Sequence, residues 1–415
     1  MKIKSLLFLL FIFSFFNYGL TKTKLFSIKV SGTVSGLAAG ESVSIYNNLI
    51  TGSPTDTLSN GSFTYSYNFA IGDSYSFVIG ALNSGKYCNV VNGSGNQLYS
   101  NVINVEVNCS NTASLFTAVG QNGQVVMSAD GLSWNANKIS TTTQTLNDAL
   151  ILNDNSLLVV GNAGTYFLNY DNQWRQGNLS VNSDLNSITS FTDSNNQSLF
   201  VVVGNNGLIE TSQNPYLWLI QSYLQPVNIM QVINCNKNFY AAANYSNNTI
   251  GAILSSNSTA VNWNPVYSST AGTTFNSLFC YRVQSQGQTS YTIFAVGNNG
   301  ALLSSSDGIQ WTPSVINNGY NFTQITSNPN GDILAVGSTL DGTTGVVFRS
   351  TDAGVTWKIL NSGTVVFAPL TGIAINDKGI VVVVGGKNIY VSSDNLVTWT
   401  QINAPEVLTK VKVLG

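Results

Sequence analysis

The stretch "STDAGVTW" at Ser350–Trp357 decides the fold, because related stretches recur at three other places along the chain. They are "SADGLSW" at Ser128–Trp134, "SSDGIQW" at Ser305–Trp311 and "SSDNLVTW" at Ser392–Trp399. An Asp in a tight turn can accept hydrogen bonds from the backbone N–H groups just ahead of it, and a Ser can tie the turn to the preceding strand. The copies decay along the chain, as structural turns do and catalytic residues do not. We assign the role of turn fastener to Ser128, Asp130, Trp134, Ser305, Asp307, Trp311, Ser350, Asp352, Gly354, Trp357, Ser392, Asp394 and Trp399.

A second periodic signal comes from the seven tryptophans, which all lie after residue 111. They are Trp134, Trp174, Trp218, Trp263, Trp311, Trp357 and Trp399. Consecutive members are 40 to 48 residues apart, which matches the period of a four-stranded propeller blade. Asn-Gly pairs between apolar runs, as in "VVVGNNGL" from Val201, predict tight hairpins in which both residues take positive φ.

Each predicted unit opens with an apolar residue that is usually followed by Asn or Thr, as in "LNDA" from Leu146 and "LTGI" from Leu370. A seventh copy, "LTKV" from Leu408, has no unit after it, while the first unit, residues 114–140, lacks this opening strand. The simplest explanation is that residues 408–414 complete the first unit, since closure removes exposed sheet edges. The sequence therefore predicts an all-β chain in which residues 111–415 form a seven-bladed β-propeller closed by the C-terminal strand.

Residues 26–110 contain short alternating β segments separated by Gly, Asn and Ser turns, which predicts an N-terminal β-sandwich domain. Ahead of it, residues 1–4 are basic and residues 5–20 are apolar, the pattern of a signal peptide. We expect residues 1–22 to direct export and to be cleaved, which leaves no transmembrane domain. An uncleaved membrane anchor is the alternative, although the run is short for a span of about 20 residues.

Composition narrows the classes of function. Only 8% of the residues are charged and the net charge is -2, which offers no footprint for nucleic acid. The absence of histidine excludes His-based general acid–base catalysis, His metal ligands and a Ser-His-Asp triad. We expect no metal site and no cofactor. A surface of Ser, Thr, Asn and Gln suits an extracytoplasmic setting, so we expect the protein to be periplasmic, at the cell surface or extracellular. We also expect it to be a monomer.

The full pattern S-x-D-x-G-x-T-W at Ser350–Trp357 resembles the Asp-box, also called the bacterial neuraminidase (BNR) repeat. With the "VG-x-x-G" turns ahead of it, the array at residues 111–415 is similar to the photosystem II assembly-factor-like propellers, which share the sialidase-superfamily fold. The resemblance implies a propeller that binds a partner protein over one face. Members that bind photosystem components carry an arginine-rich patch, which a chain with three arginines cannot build.

Residues 26–110 resemble the Ig-like or prealbumin-like modules of bacterial envelope proteins, through "NGSF" and the "VEVNC" ending. The resemblance implies a bacterial origin and a disulfide between Cys88 and Cys109. From the residues alone, four cysteines in an exported chain favour disulfides and allow three pairings. Cys235 and Cys280 follow the opening strands of adjacent units near matching positions. A bridge between them is one interpretation, and two buried free thiols are the other.

The Asp-box raises the hypothesis of a sialidase, and the sequence argues against it. A sialidase needs an arginine triad, whereas Arg349 abuts a structural turn and Arg175 and Arg282 lie elsewhere in their units. Another glycosidase would need a carboxylate pair near the substrate. We expect no catalytic residues, and the carboxylates left to consider are Asp148, Asp184, Asp341 and Glu406.

The sequence offers six binding candidates. Asp148 and Lys410 hold equivalent positions in neighbouring units and are expected to form a salt bridge near the central channel, either to stabilise closure or to line a ligand site. The others lie in or beside loops rich in Ser, Asn and Gly, which make adaptable contact surfaces or merely cover the ring edges. These are Tyr223, Tyr267, Tyr320 and Phe367.

These observations together predict an exported, non-catalytic binding or scaffold protein that presents a propeller face to an unknown protein or glycan. The alternatives are a glycan-active enzyme, either a glycosidase or a lyase, and a structural surface or adhesin component. Two carboxylates within about 10 Å in the central pocket, beside an aromatic platform, would favour the enzyme.

Overall fold

The computed structural model describes residues 27–413 apart from 48, 51, 83–85, 112–115, 153–155, 171–172, 178–181, 194–196, 215–216, 222–225, 246–248, 286 and 361–364. The predicted signal segment, residues 1–22, lies outside the described residues. Strands and short 3-10 turns make up the regular structure of the described part. Within it, no helix has the length and apolarity that crossing a membrane would require.

The N-terminal part forms two four-stranded sheets. Their strands are β1 (Val30–Ser35), β2 (Val43–Asn47), β3 (Thr55–Leu58), β4 (Gly61–Thr64), β5 (Tyr75–Leu82), β6 (Lys86–Val91), β7 (Ser94–Gly95) and β8 (Val102–Asn111). One sheet has the order β4-β1-β8-β6 and the other β3-β2-β5-β7. Val30, Ile45 and Phe77 belong to one buried core that both sheets share. Cys88 on β6 lies opposite Cys109 on β8, and a disulfide joins them.

Seven further four-stranded sheets occupy the described residues from 116 to 413. The strands of their first half are β9 (Phe116–Gly120), β10 (Val125–Ser128), β11 (Asn135–Ala136), β12 (Leu146–Ile151), β13 (Leu157–Gly161), β14 (Tyr166–Tyr170), β15 (Gln173–Gln176), β16 (Leu185–Thr192), β17 (Ser198–Gly204), β18 (Ile209–Asn214), β19 (Leu217–Ile220), β20 (Val227–Cys235), β21 (Asn238–Tyr245), β22 (Gly251–Ser256) and β23 (Asn264–Ser268). Those of the second half are β24 (Phe275–Ser285), β25 (Gln288–Gly297), β26 (Ala301–Ser305), β27 (Thr312–Val315), β28 (Tyr320–Ser327), β29 (Ile333–Thr339), β30 (Gly345–Ser350), β31 (Lys358–Ile359), β32 (Gly372–Ile375), β33 (Val381–Gly385), β34 (Asn388–Ser392), β35 (Thr400–Asn403) and β36 (Leu408–Val413).

Six of these sheets consist of four consecutive strands, namely β12–β15, β16–β19, β20–β23, β24–β27, β28–β31 and β32–β35. The remaining one has the order β11-β10-β9-β36, so the last strand pairs with the first. In this antiparallel pair Lys410 lies opposite Val119, and Val413 lies opposite Phe116. The pairing is the one predicted for the strand that begins at Leu408.

Buried apolar cores lie between consecutive sheets. Leu158 of β13, for example, packs in one core with Val202 of β17. In another, Val382 of β33 packs with Ala118 of β9 and Val411 of β36. Seven such cores join the described sheets in chain order, and the last returns to the sheet of β9. Four-stranded sheets packed in a circuit are the architecture of a β-propeller.

Asn-Gly pairs turn the chain between the second and third strands of three of these sheets. Asn122 and Gly123 have φ angles of 56° and 67°, and Asn206 and Gly207 have 58° and 69°. Both residues of each pair therefore lie in the left-handed region, as the Asn-Gly pattern predicted.

Candidate functional site

In nearly every sheet the innermost strand forms a hydrogen bond to the innermost strand of the following sheet. The donor is the side chain of the residue that follows the opening apolar residue. Asn147 Nδ2, for instance, donates a hydrogen bond to the carbonyl oxygen of Leu185 (2.9 Å). We call these links clasps. The others run from Asn186 to Ile229, Asn276 to Phe322, Thr323 to Leu370, Thr371 to Leu408 and Thr409 to Leu146. The Asn or Thr of the opening motif is thus explained by contacts between sheets.

The sheet β20–β23 departs from this pattern, because Met230 occupies its clasp position. Asn244, on the second strand, takes over. Its Nδ2 donates to the carbonyl oxygen of Phe275 (3.0 Å), and its Oδ1 accepts from the Phe275 N–H (2.9 Å). With this replacement, a clasp links each of the seven described sheets to the next, and the series is closed.

A second set of polar side chains lies on the inner strands, next to the clasps. Asp148, on β12, is the fully buried charged residue of this set. Asp148 Oδ2 accepts hydrogen bonds from Ser187 Oγ (2.8 Å) and from the Ile188 N–H (3.1 Å). Its Oδ1 lies 3.2 Å from Lys412 Nζ. The salt bridge of Asp148 is therefore formed with Lys412 and not, as predicted, with Lys410. The two lysines are two residues apart and so project from the same side of β36, and sequence position does not determine which one reaches the carboxylate.

Lys410 lies beside this ion pair. Burial lowers the pKa of Lys410 to about 8, while Asp148 acts in the opposite direction and Lys412 in the same direction. The three charges join the closing strand β36 to β12, and Asp148 continues the contact into β16 through its hydrogen bonds. Asp148, Lys410 and Lys412 therefore help to hold the sheet that contains β36 against the sheet that contains β12.

The four Asp-containing turns form the hydrogen bonds that the sequence predicted. Asp352 Oδ1 accepts from the Thr356 N–H (2.8 Å) and from Ser350 Oγ (2.8 Å). Ser350 Oγ also accepts from the Gly354 N–H (2.9 Å), and Trp357 Nε1 donates to the Gly354 carbonyl oxygen (3.1 Å). The hydrogen bonds from the Thr356 side chain and backbone and from Ser350 lower the pKa of Asp352 to about 2. Corresponding backbone bonds are accepted by Asp130, Asp307 and Asp394.

The predicted aromatic contact residues pack into the cores between sheets. Phe367 is buried, and Tyr267 and Tyr320 are half-buried. Tyr223 lies outside the described residues. The ring pairs, with centroid separations of 5.0, 5.1, 5.2 and 6.0 Å, are Phe367–Tyr390, Phe367–Trp399, Tyr320–Phe348 and Tyr267–Phe275. These three residues therefore contribute to the packing between sheets.

The carboxylates considered for catalysis are each held by hydrogen bonds nearby. Asp184 Oδ1 accepts from the Ala163 N–H (2.9 Å). Hydrogen bonds from Thr339 and Thr343 keep the pKa of Asp341 below its usual value. Hydrogen bonds from Asn122 and Lys387 do the same for the pKa of Glu406. A carboxylate with a lowered pKa is ionised at neutral pH, which makes it a poor general acid.

A groove of about 630 Å³ lies between the sheet β16–β19, all four strands of which line it, and the turn at residues 258–261 of the following sheet. Its apolar wall includes Phe191, Leu199, Leu217, Leu219 and Val261. Polar residues such as Gln197, Asn214 and Gln221 also line it, and Asp193 is the charged residue among the residues that line it.

The outer strand beside this groove, β19, exposes large apolar side chains. Leu217 is 72% exposed, Leu219 is 64% exposed and Ile220 is 48% exposed. None of the residues predicted for binding is among the described residues that line this groove, although the sequence of β19 differs visibly from that of other outer strands. The outer strand reads "LWLI" here, whereas the outer strands of other sheets read "QWRQ", "TPSV" and "TQIN".

A second disulfide joins Cys235 at the end of β20 to Cys280 on β24, with the Cα atoms 5.6 Å apart. It links two consecutive sheets, so the interpretation of a bridge between adjacent units is confirmed and that of two free thiols is wrong.

No protein-family model and no curated protein matches this sequence. Solved structures similar to it include YCF48 bound to D1 peptide, with 17% identity and a TM-score of 0.46 over 62% of this chain and 82% of that one. A GH74 enzyme of Niastella koreensis has 11% identity and a TM-score of 0.48 over 70% of this chain and 47% of its own. The WD40 β-propeller domain of Doa1 has 13% identity and a TM-score of 0.43 over 64% of this chain and 84% of that domain.

Proposed function

We propose that this chain is an exported, non-catalytic binding protein that holds a protein partner in the groove beside β19. In this proposal residues 26–110 are an Ig-like β-sandwich module. Residues 111–415 are a seven-bladed β-propeller of the Asp-box type. The seven sheets, the seven cores between them and the closed series of clasps support the blade count.

Two observations support export to the periplasm or the cell exterior. Both pairs of cysteines form disulfides, which persist in oxidising compartments and are rare in the cytosol. Residues 1–22 have the charge and apolar pattern of a signal peptide.

The observation that carries the proposal is the exposed apolar surface of β19 beside the groove. Leu217 and Leu219 both line the groove and are largely exposed. Contiguous exposed apolar side chains next to a concave surface are typical of protein-interaction sites. Among the described residues that line the groove Phe191 is the one aromatic residue, and a single ring favours a sugar less than a row of rings would.

A photo-cross-linking experiment in the source organism tests the proposal. A photoreactive phenylalanine analogue replaces Leu219 in the full chain. The control carries it at Val355, which is 79% exposed in a turn of another sheet. We expect a protein adduct from position 219 that position 355 does not give. Equal labelling from both positions, or a glycan bound on an array in place of any protein adduct, would overturn the proposal.

A further inference from the structure

We infer that the partner adds an extended strand to the free edge of β19, with apolar side chains at alternate positions that enter the groove. This inference rests on the proposed function and specifies how the partner is recognised. In the sheet order β16-β17-β18-β19, β19 is the terminal strand, so one of its two edges has no neighbour within the described sheet. An unpaired edge offers backbone donors and acceptors to another chain.

The other outer strands of the described propeller sheets are protected against such pairing. Proteins blunt sheet edges with Pro, with charged residues or with very short strands. β23 contains Pro265 and β27 contains Pro313. β15 contains Arg175, and β11 and β31 have two residues each. β35 reads "TQIN" and is polar, whereas β19 reads "LWLI" and has none of these devices.

The two prolines lie at the position that Ile220 occupies in β19. Pro313 pairs with Leu303, and Pro265 pairs with Leu254. Leu303, Leu254 and Glu210 hold equivalent positions in the third strands of their sheets. Each pairs with a residue of the second strand, and that residue pairs in turn with the fourth residue of the opening motif. Ile220 pairs with Glu210. Two other sheets therefore carry a proline where this sheet offers a backbone N–H.

The backbone N–H of Ile220 faces away from β18. The Gln221 N–H donates to the carbonyl oxygen of Ile209 on β18 (2.8 Å). In an antiparallel ladder, consecutive residues alternate between groups directed at the partner strand and groups directed away from it. Ile220 therefore directs its N–H and carbonyl group to the outer edge, where an added strand would pair with them.

The side chains of the groove define the chemistry of the added strand. Leu217 and Leu219 lie on the groove side of β19, so every second residue of the partner would face them and should be apolar. Asp193 contributes a negative charge to the wall, and the part of the lining that the structure describes includes no Lys or Arg. This favours a partner segment with a Lys or Arg at one end and without acidic residues.

Selection of phage-displayed random dodecapeptides on the immobilised full chain tests the inference. We expect the selected peptides to carry apolar residues at alternate positions and at least one Lys or Arg. A synthetic selected peptide is then titrated against variants by fluorescence polarisation. Ile220→Pro copies the natural prolines and removes the outward N–H, and it should weaken binding at least about tenfold.

Gln401→Pro is the matched control, because Gln401 occupies the corresponding place in β35, opposite Tyr390. It should leave the affinity unchanged, and both proline variants should keep the wild-type circular dichroism spectrum. Leu219→Gln tests the groove independently of the edge. Loss of binding in Leu219→Gln but not in Ile220→Pro would overturn strand addition and keep the proposed groove. Wild-type affinity in both variants would overturn both proposals. A dimer that Ile220→Pro converts to a monomer would identify a second copy of this chain as the occupant and overturn the inference.

Discussion

Glu210 lies directly opposite Ile220 in the β18–β19 ladder, so a buried carboxyl group pairs with the exposed edge strand. Neither carboxyl oxygen of Glu210 has a hydrogen-bond partner among the described residues. The equivalent residues of the other propeller sheets are all apolar in character and buried, namely Val126, Phe167, Leu254, Leu303, Phe348 and Tyr390. Burial raises the pKa of Glu210 above its ordinary value of 4.5.

Replacing Glu210 with Leu should therefore stabilise the protein at neutral pH by about 1–3 kcal/mol, because an unpaired polar group leaves the apolar core. A raised folded-state pKa contributes stability that is fully present below the unfolded value and is lost as pH rises through the folded value. The stability of the wild type relative to Glu210→Leu should thus fall as pH rises. Urea denaturation at pH 4, 6 and 8 measures this difference, and a difference independent of pH would contradict it. Glu210→Gln distinguishes the cost of the buried charge from the cost of an unpaired polar group, since it removes the charge but keeps a polar side chain.

The clasp at Asn244 should be costly to remove. Asn244→Ala leaves both the N–H and the carbonyl oxygen of Phe275 without their partner in a buried position. We expect a loss of about 2–4 kcal/mol in the free energy of unfolding, since each unsatisfied buried group costs about 1–3 kcal/mol. Chemical denaturation followed by tryptophan fluorescence measures it. Asn264→Ala, on an exposed position of β23, is the control and should change stability little. If both substitutions changed the free energy of unfolding equally, the hydrogen bonds from Asn244 to Phe275 would contribute no stability of their own.

The Asp352 turn should lose stability in acid. The pKa of Asp352 is lowered to about 2 by hydrogen bonds to the charged carboxylate, from an ordinary 3.8. A lowered folded-state pKa gives stability that is present above the unfolded value and is lost as pH falls through the folded value. Asp352→Asn should lower Tm at pH 7, and the gap to the wild type should close between pH 4 and pH 2. Asp352→Glu keeps the charge but displaces the carboxylate. If it retains the wild-type Tm, charge alone explains the effect and the turn geometry does not.

The Cys235–Cys280 disulfide should stabilise the propeller, because it bridges two consecutive sheets across a sequence separation of 45 residues. Replacing both cysteines with Ala should cost about 4 kcal/mol by the loop-entropy relation. All seven tryptophans lie between residues 134 and 399, so their fluorescence reports on the propeller alone. The paired control Cys88→Ala/Cys109→Ala should leave the fluorescence transition in place. A shift of that transition as large as the one caused by the first double variant would count against separate stabilisation of the two parts.

The parts of the fold that were predictable from the sequence are those with local causes. Asn122 and Gly123 were predictable because few other pairs accept two consecutive positive φ angles. The place of β36 followed from an opening motif without a unit after it. The choice between Lys410 and Lys412 as the ion-pair partner of Asp148 was not predictable. Both side chains project from one side of β36, and only the packed structure determines which amine reaches the carboxylate. Phe367 was misjudged for a related reason. Its loop composition suggested exposure, but its ring fills a gap beside Tyr390 and Trp399 that exists only once two sheets have packed.

The groove beside β19 illustrates a further limit. The residues that line it come from all four strands of the sheet β16–β19 and from a turn of the next sheet, so no local pattern describes its shape. The absence of protection on β19 can be read from the sequence, but only after the outer strand of each sheet has been aligned with the others. That alignment depends on the register at Glu210 and Ile220.

The pairing of β36 with β9 also determines the order in which the molecule can assemble. Thr409 bonds to the carbonyl oxygen of Val119, 290 residues earlier in the chain. The sheet whose strands are synthesised first among the seven is therefore the last that can be completed, because β9 keeps an open edge until residues 408–413 have been made. Contacts of such long sequence separation slow folding. The first of the seven sheets therefore stays incomplete during most of the synthesis of residues 116–413, and for that interval its open edge is exposed to pairing with other chains.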